Sequence, residues 1–274
     1  MKELRDRVAV VTGAGSGIGR AFAERFAAEG MRVVAADVDE ARARETEALL
    51  KARGAQALAV QVDVGRPAAV EALAARALEA FGAVHVLCNN AGIAGFARPS
   101  WELTLEDWKQ VLDVNLWGVI HGIRTFVPIM LRQGTEGHVV NTASMAGLMS
   151  LPLIAPYHAT KFAVVTISES LHMELGMTGA PVRVSVLCPG FVRTNIGQDS
   201  LTRPRSEAEA AMHEAFRRLI AEGLDPAVVA ERVVEAIRAE RFWVFSHPEL
   251  VAAVQQRAES IVAGRNPEAT PLPT

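Results

Sequence analysis

Val8-Ala9-Val10-Val11-Thr12-Gly13-Ala14-Gly15-Ser16-Gly17-Ile18-Gly19 joins an apolar β-branched run to a glycine-rich turn and then to a helical pattern. Glycines let such a turn be tight and let backbone approach a phosphate closely. The following helix would point its N-terminal N–H groups, and the positive end of its dipole, at an anion. The spacing is not G-x-G-x-x-G, because Ile18 stands three residues after Gly15. Nor is it a nucleoside-triphosphate loop, because no Gly-Lys-Ser/Thr follows. It is T-G-x-x-x-G-x-G.

Short β-branched runs alternate with longer helical patterns along the rest of the chain. Strands are expected at 8–12, 32–37, 57–62, 84–89, 138–142, 182–187 and 242–246. Helices are expected at 18–29, 40–53, 67–81, 105–133, 157–174 and 226–238, with one more before the tail. Thr104-x-x-Asp107 reads as a capping box that opens the long helix, and Pro128 as a kink near its end. Strands apolar throughout, alternating with helices, predict a single α/β domain: a doubly wound parallel sheet of about seven strands with helices on both faces. In such sheets the ligand lies beyond the carboxyl ends of the strands. Residues 264–274, with three prolines, read as a frayed tail.

Composition narrows the classes of function. Half of the 274 residues are hydrophobic, 22% are charged, and the net charge is −3. No Lys/Arg block provides a footprint for nucleic acid. The charged N-terminus lacks the apolar run of a signal peptide, and no uninterrupted apolar stretch of about 18 residues predicts a membrane span. Cys88 and Cys188 follow apolar runs and read as buried thiols in a reducing cytoplasm. The seven histidines show no metal-binding spacing, so no metal is expected.

The chain has one tyrosine, Tyr157, and only four lysines against 24 arginines; one of the four, Lys161, stands four residues after Tyr157. On a helix the two share a face. A cation beside a phenol favours the phenolate, which can act as a base.

Together these motifs resemble the short-chain dehydrogenase/reductase family. Thr12 to Gly19 matches its glycine motif, Asn89-Asn90-Ala91-Gly92 its N-N-A-G, and Tyr157-x-x-x-Lys161 its Y-x-x-x-K. Asn115 in the long helix, Ser144 thirteen residues before Tyr157, Pro189-Gly190 and Thr194 stand in register. The resemblance covers roughly residues 6–195. It implies catalytic Asn115, Ser144, Tyr157 and Lys161. Tyr157 would be the acid/base and Ser144 would bond the substrate oxygen. Lys161, together with the positive nicotinamide ring of oxidised cofactor, would lower the tyrosine pKa, and it would also hold the nicotinamide ribose; Asn115, like the family's helix-bend Asn, would hold a water that links Lys161 to solvent. It implies a dinucleotide held by Gly13, Gly15, Ser16, Gly17, Ile18 and Gly19, by Asp37, Asp63 and Val64, by Asn90, Ala91 and Gly92, by Tyr157 and Lys161, and by Pro189, Gly190, Val192 and Thr194. Asp37 at the end of the second strand can accept both adenosine ribose hydroxyls and repel a 2′-phosphate, so NAD is expected over NADP. A turn-forming role for Asp63 is nearly as good a reading. His158 should face away from Tyr157, as a structural residue.

Phe96, Met145, Ile154 and Phe191 are expected to line a substrate pocket, with 195–222 as a lid. Arg98 and Arg193 are the available grips for a carboxylate. The expected reaction is hydride transfer between NAD and a small hydrophobic secondary alcohol or ketone, in a homotetramer or homodimer built on helices 105–133 and 157–174. The rivals are NADP-dependent reduction of a 3-oxoacyl thioester and a nucleotide-sensing regulator on the same fold.

Overall fold

The computed structural model describes residues 1–95, 97–196 and 207–268. Seven strands form one parallel sheet: β1 (Val8–Thr12), β2 (Arg32–Asp37), β3 (Ala57–Gln61), β4 (Val86–Asn89), β5 (Gly137–Thr142), β6 (Val182–Cys188) and β7 (Trp243–Phe245). Their order is β3-β2-β1-β4-β5-β6-β7. The chain winds outward from β1 to β3, returns to the middle and winds the other way from β4. The order therefore reverses between β1 and β4, and a crevice opens there at the carboxyl ends of the strands.

The central strands are buried on both sides because helices cover both faces. Helices α1 (Gly17–Ala28), α2 (Glu40–Ala52) and a later helix, Pro226–Ala239, cover one face. Phe22, Phe26 and Leu50 pack there against Val233, Val234 and Ile237. Helix α3 (Pro67–Phe81), the long central helical run and the Tyr157 helix cover the other, with Leu73, Phe126, Met130, Leu171 and Leu175 in its core. The sheet and its two layers are those expected, with element ends moved by a few residues. Cys88 and Cys188 are free and buried.

The expected single helix over 105–133 is two helices joined by a wider turn. It runs as α4 (Leu105–Leu112), a π-helical turn (Asp113–Trp117) and α5 (Gly118–Gln133), and continues through Pro128. A π turn takes up an extra residue within a helix and is frequent at functional sites. Asn115 within it is fully buried, on the same side as Val111, Val119 and Gly122. The capping box at Thr104 and Asp107 is formed, with bonds of 2.9 and 3.1 Å. Among the described residues, the run 105–133 is also long and apolar enough to cross a membrane by length and composition alone. It is nevertheless a layer of this domain, packed on α3 and the Tyr157 helix.

The remaining elements are α6 (Ala155–Thr178), α7 (Glu207–Ala221), α8 (Pro226–Ala239), a 3-10 turn (Pro248–Leu250) and α9 (Val251–Val262). Asp225 caps α8 through the Ala227 N–H at 2.8 Å, with Pro226 as its first residue. Phe96, residues 197–206 of the expected lid and residues 269–274 of the expected tail lie outside the described residues.

Two histidines at the amino ends of the strands are held neutral by the fold. Burial pushes His85 down to about 4, with Arg7 and Arg32 adding to the effect. Its Nδ1 accepts from the Val8 N–H at 3.1 Å. Burial pushes His138 down to about 3, and its ring bonds the Ser185 hydroxyl at 2.8 Å. A folded-state pKa below the unfolded value near 6.5 contributes stability that is complete above that pH and is lost as pH falls towards the folded value. At about 1.4 kcal/mol per unit, each histidine is worth a few kcal/mol, a large part of a typical net stability of about 5–15 kcal/mol. Thermal melts should therefore show Tm dropping steeply between pH 6.5 and 4, with His138→Gln flattening the slope. A Tm independent of pH over that range would contradict this account.

Candidate active site

The switch point between β1 and β4 is closed by one hydroxyl. Thr12 Oγ donates to the Cys88 carbonyl at 3.2 Å and accepts from the N–H groups of Asn90 and Ala91 at 2.9 and 3.1 Å. Asn90 returns a bond from Nδ2 to the Thr12 carbonyl at 3.0 Å, and its Oδ1 accepts from Thr142 at 3.3 Å. The ends of β1, β4 and β5 are thus tied together.

The glycine turn is shaped first by packing. Gly13 and Gly17 have φ of +65° and +52°, and a Cβ on Gly17 would stand 2.9 Å from the Thr194 side chain. Asp37 anchors the turn: its Oδ2 accepts from the Gly15 N–H at 2.8 Å, and its Oδ1 from the Asp39 N–H at 3.0 Å. Ser16 precedes α1 and makes no side-chain capping bond, so its hydroxyl does not occupy the N–H groups of the first turn. Asp63 forms a local turn, accepting from the Gly65 N–H at 3.0 Å and pairing with Arg66 at 3.1 Å. The Val64 carbonyl bonds the His121 ring at 2.9 Å. Asp37, Asp63 and Val64 all border one cleft of about 610 Å³ together with Ser16, Gly17 and Ile18. This volume lies in the range of about 300–1,000 Å³ usual for small-molecule sites.

The cleft runs from Asp37 across the start of α1 to Ser144, Tyr157 and Lys161. Ser144 ends the segment after β5. Its Oγ accepts from the Ala146 N–H at 3.1 Å, stands 3.3 Å from the Pro189 carbonyl, and bonds the Tyr157 phenol. Lys161 is buried, with Nζ donating to the Thr142 carbonyl at 2.9 Å and lying 5.5 Å from the centre of the Tyr157 ring. Asn115 reaches across from the π turn. It accepts from the Ile93 N–H at 2.8 Å, donates to the Ile93 carbonyl at 2.9 Å, and stands 3.4 Å from Thr160 Oγ. Gly92 lies against both, since a Cβ there would be 3.3 Å from Asn115 Oδ1 and 3.6 Å from Lys161 Nζ.

The expected lowering of the tyrosine pKa draws on Lys161 together with the positive ring of oxidised cofactor. Burial is the largest influence on Tyr157 and pushes it up; the bond from Ser144 pulls the other way. Burial also lowers Lys161 to about 8, with the neighbouring Cys188 opposing. On the protein side, desolvation is the first influence on both groups.

At the far end Met145, Ile154 and Phe191 border the cleft as expected, and so do Met149 and Leu151. Met145 is buried, with its N–H on the Pro189 carbonyl at 2.9 Å. Phe191 meets Phe216 of α7 edge to face at 5.9 Å. Val192 and Thr194 line the same wall, and Gly190 is held by Ser246 and His247, each at 3.2 Å. Of the two candidate carboxylate grips, Arg193 pairs with Asp225 at 2.5 Å and Arg98 is buried; neither borders the cleft. The sequence reading missed Leu250 and Ala253, which complete the apolar wall from the far end of the chain. Nothing local marks them, because the last motif ends more than fifty residues earlier. Among the described residues, no cluster of His, Cys, Asp or Glu is arranged to hold a metal ion.

A family model described as short chain dehydrogenase matches residues 7–204. The chain belongs to the short-chain dehydrogenases. It is therefore an oxidoreductase of the kind that interconverts CH–OH and carbonyl groups, on a fold that takes NAD or NADP. A short-chain dehydrogenase of Burkholderia phymatum, solved in complex with NAD, superposes with a TM-score of 0.95 at 44% identity, covering 100% of both chains. The 1-deoxy-11-beta-hydroxypentalenate dehydrogenase of Streptomyces exfoliatus is 42% identical over 251 residues, 90% of this chain and 85% of the relative. A CLA biosynthesis dehydrogenase/reductase of Lactiplantibacillus plantarum is 33% identical over 279 residues, 98% and 97% of the two chains. The cleft of this short-chain dehydrogenase suits a dinucleotide. It has an uncapped helix start, a carboxylate at the end of β2 and a groove that continues to the phenol, a layout that fits phosphate, ribose and nicotinamide in turn.

Proposed function

We propose that this chain is an NAD-dependent dehydrogenase of a secondary alcohol with a bulky apolar body, or equally the reductase of the matching ketone. The observation that carries the reading is the meeting of Ser144, Tyr157 and Lys161 at the point where the dinucleotide groove opens into an apolar wall. The dinucleotide, when bound, supplies the nicotinamide carbon that exchanges a hydride with the substrate. Gly13 to Gly19, Asn90 to Gly92 and Thr194 would hold it. Ser144 Oγ bonds the substrate oxygen and steadies charge that develops on it. Tyr157 Oη takes the alcohol proton, or returns it to a ketone. Lys161 keeps positive charge near the phenol, and Asn115 holds the Ile93 backbone that borders the same space. The wall of Met149, Leu151, Ile154, Phe191, Phe216 and Leu250 excludes water and favours apolar substrate surface. The Streptomyces relative, named for a hydroxypentalenate, is consistent with such a substrate.

Asp37 supports NAD over NADP, since its carboxylate would face a 2′-phosphate with like charge, a conflict that costs several kcal/mol. Arg42 borders the cleft beside it. An NAD-linked absorbance screen over secondary alcohols of graded size should place the best kcat/KM on the bulky apolar members. Asp37→Asn keeps an acceptor for the Gly15 N–H but removes the charge; the NADP/NAD ratio of kcat/KM should rise about a hundredfold. A wild-type enzyme that prefers NADP would remove this assignment. Tight NADH binding with no turnover of any alcohol would favour a nucleotide-sensing role instead.

The described part of the expected lid that supports this proposal is α7, whose Phe216 and Ile220 border the cleft. The proposed homotetramer or homodimer uses the α4–α5 run and α6, where Trp117 and Met173 expose apolar surface. A cytoplasmic setting is consistent with the two free cysteines.

A further inference from the structure

His158 borders the cleft, and all three of its nitrogen atoms are bonded to backbone. Its backbone N–H donates to the Ile154 carbonyl at 3.1 Å. Ring Nδ1 lies 2.7 Å from the Ala146 carbonyl, which can only accept, so Nδ1 carries the hydrogen. Ring Nε2 accepts from the Leu151 N–H at 2.9 Å. Both ring positions are therefore assigned, and the imidazole is neutral in one tautomer.

The stretch between those anchors is constrained at further points. Leu153 has φ +75°, a left-handed conformation that is costly for a bulky residue and persists only where the surroundings overdetermine it. Its carbonyl accepts from the Arg98 N–H at 2.8 Å. At the other end, a Cβ on Gly147 would stand 2.6 Å from the Lys161 carbonyl, so the backbone there lies directly on α6. Met149, Leu151 and Ile154, all within this stretch, border the substrate end of the cleft.

We propose that His158 is the positioning residue of the substrate wall: it ties residues 146–154 to the helix that carries Tyr157, and so fixes the gap in which substrates are selected by size. This assignment rests on the dehydrogenase reading above. Two variants test it. His158→Leu fills similar space and removes both ring bonds, while His158→Gln keeps a polar atom that can reach Leu151 but not Ala146. KM and kcat would be measured with NAD for 2-propanol and for 1-(2-naphthyl)ethanol, and amide hydrogen exchange followed in peptides covering 148–154.

In His158→Leu, KM for the naphthyl alcohol should rise at least tenfold more than KM for 2-propanol, with the larger part of the change in KM rather than kcat. Exchange over 148–154 should speed up at least tenfold relative to the glycine-turn peptide. His158→Gln should recover part of both effects, and it carries the test alone if His158→Leu does not fold. Equal kinetic changes for the two alcohols, or wild-type exchange over 148–154, would overturn the proposal. If the wild-type enzyme oxidises neither alcohol, the two best alcohols of different size from the graded screen replace them; if no alcohol turns over, the dehydrogenase reading is what fails, and the exchange data alone decide the role of His158.

Discussion

Tyr157→Phe is expected to lower kcat about a thousandfold, within the usual range of about 10²–10⁴ for a positioned acid/base. The substitution keeps the ring, which Lys161 overlies at 5.5 Å, and removes only the oxygen that gives or takes the proton. Ser144 keeps a partner in the Pro189 carbonyl at 3.3 Å, so the loss of the phenol does not strand a buried hydroxyl. The glycine turn and Asp37 are untouched, so the Kd for NADH, read by fluorescence, should stay within about threefold, well under the 1.4 kcal/mol that a tenfold change represents. Because the chain has one tyrosine, the phenolate absorbance of the wild-type protein reports that residue alone and should vanish in the variant. Activity within about tenfold of wild type would remove Tyr157 from the mechanism, since a positioned proton donor is worth far more.

Gly19→Ala is expected to be the most damaging single methyl in the dinucleotide groove. Its Cβ would stand 2.0 Å from the Gly13 carbonyl oxygen, 2.6 Å from the Gly13 carbonyl carbon and 2.7 Å from Asn90 Nδ2. Gly19 does not have a positive φ, so the penalty is contact rather than backbone strain. The neighbour is the backbone of the turn itself, and α1 must lift away to make room. That movement also pulls on the Asn90–Thr12 bond that closes the switch point. Overpacking a core costs about 1–3 kcal/mol and occasionally more; here about 3 kcal/mol or more is expected, with NADH affinity down at least a hundredfold, about 2.7 kcal/mol. Gly54→Ala is the control. It has φ +81° but nothing within 4 Å of its Cβ, and should cost only about 1 kcal/mol in denaturant unfolding, with NADH binding intact. Equal effects from the two substitutions would show that contact with the turn is not why Gly19 is glycine.

Much of the site could be read along the chain because its parts lie at the ends of strands. Thr12, Asp37, Asn89 and Thr142 each end a β-branched run, and in a parallel sheet those ends share one edge. The period of the helices placed Lys161 one turn beyond Tyr157 for the same local reason. Asn115 was legible as a residue at a helix bend through the family resemblance, but the form of that bend was not. A regular helix over 105–133 predicts neither the π turn at Asp113–Trp117 nor the two bonds to Ile93, since a bulge is selected by what it meets across the fold. His158 was assigned away from the chemistry by its angle on the helix, and its bonds to Ala146 and Leu151 follow from a loop conformation that no period encodes. The direction of the Tyr157 pKa on the protein side was not legible, because spacing reports a nearby cation, whereas desolvation depends on everything packed around the group.

The order of β-branched runs, glycine turns and helical periods by itself determined a parallel two-layered sheet and the row of residues along its carboxyl edge. Those are local patterns, and each needs only the chain within a few residues of itself. Only the tertiary structure decided the wall opposite that row. Phe216, Leu250 and Ala253 reach the cleft from segments with no motif, and Leu153 takes a left-handed conformation because Arg98 and His158 hold the backbone around it. Apolar side chains look alike in sequence whether they fill a core or face a substrate; which of the two they do depends on the shape left between elements once the sheet has been wound.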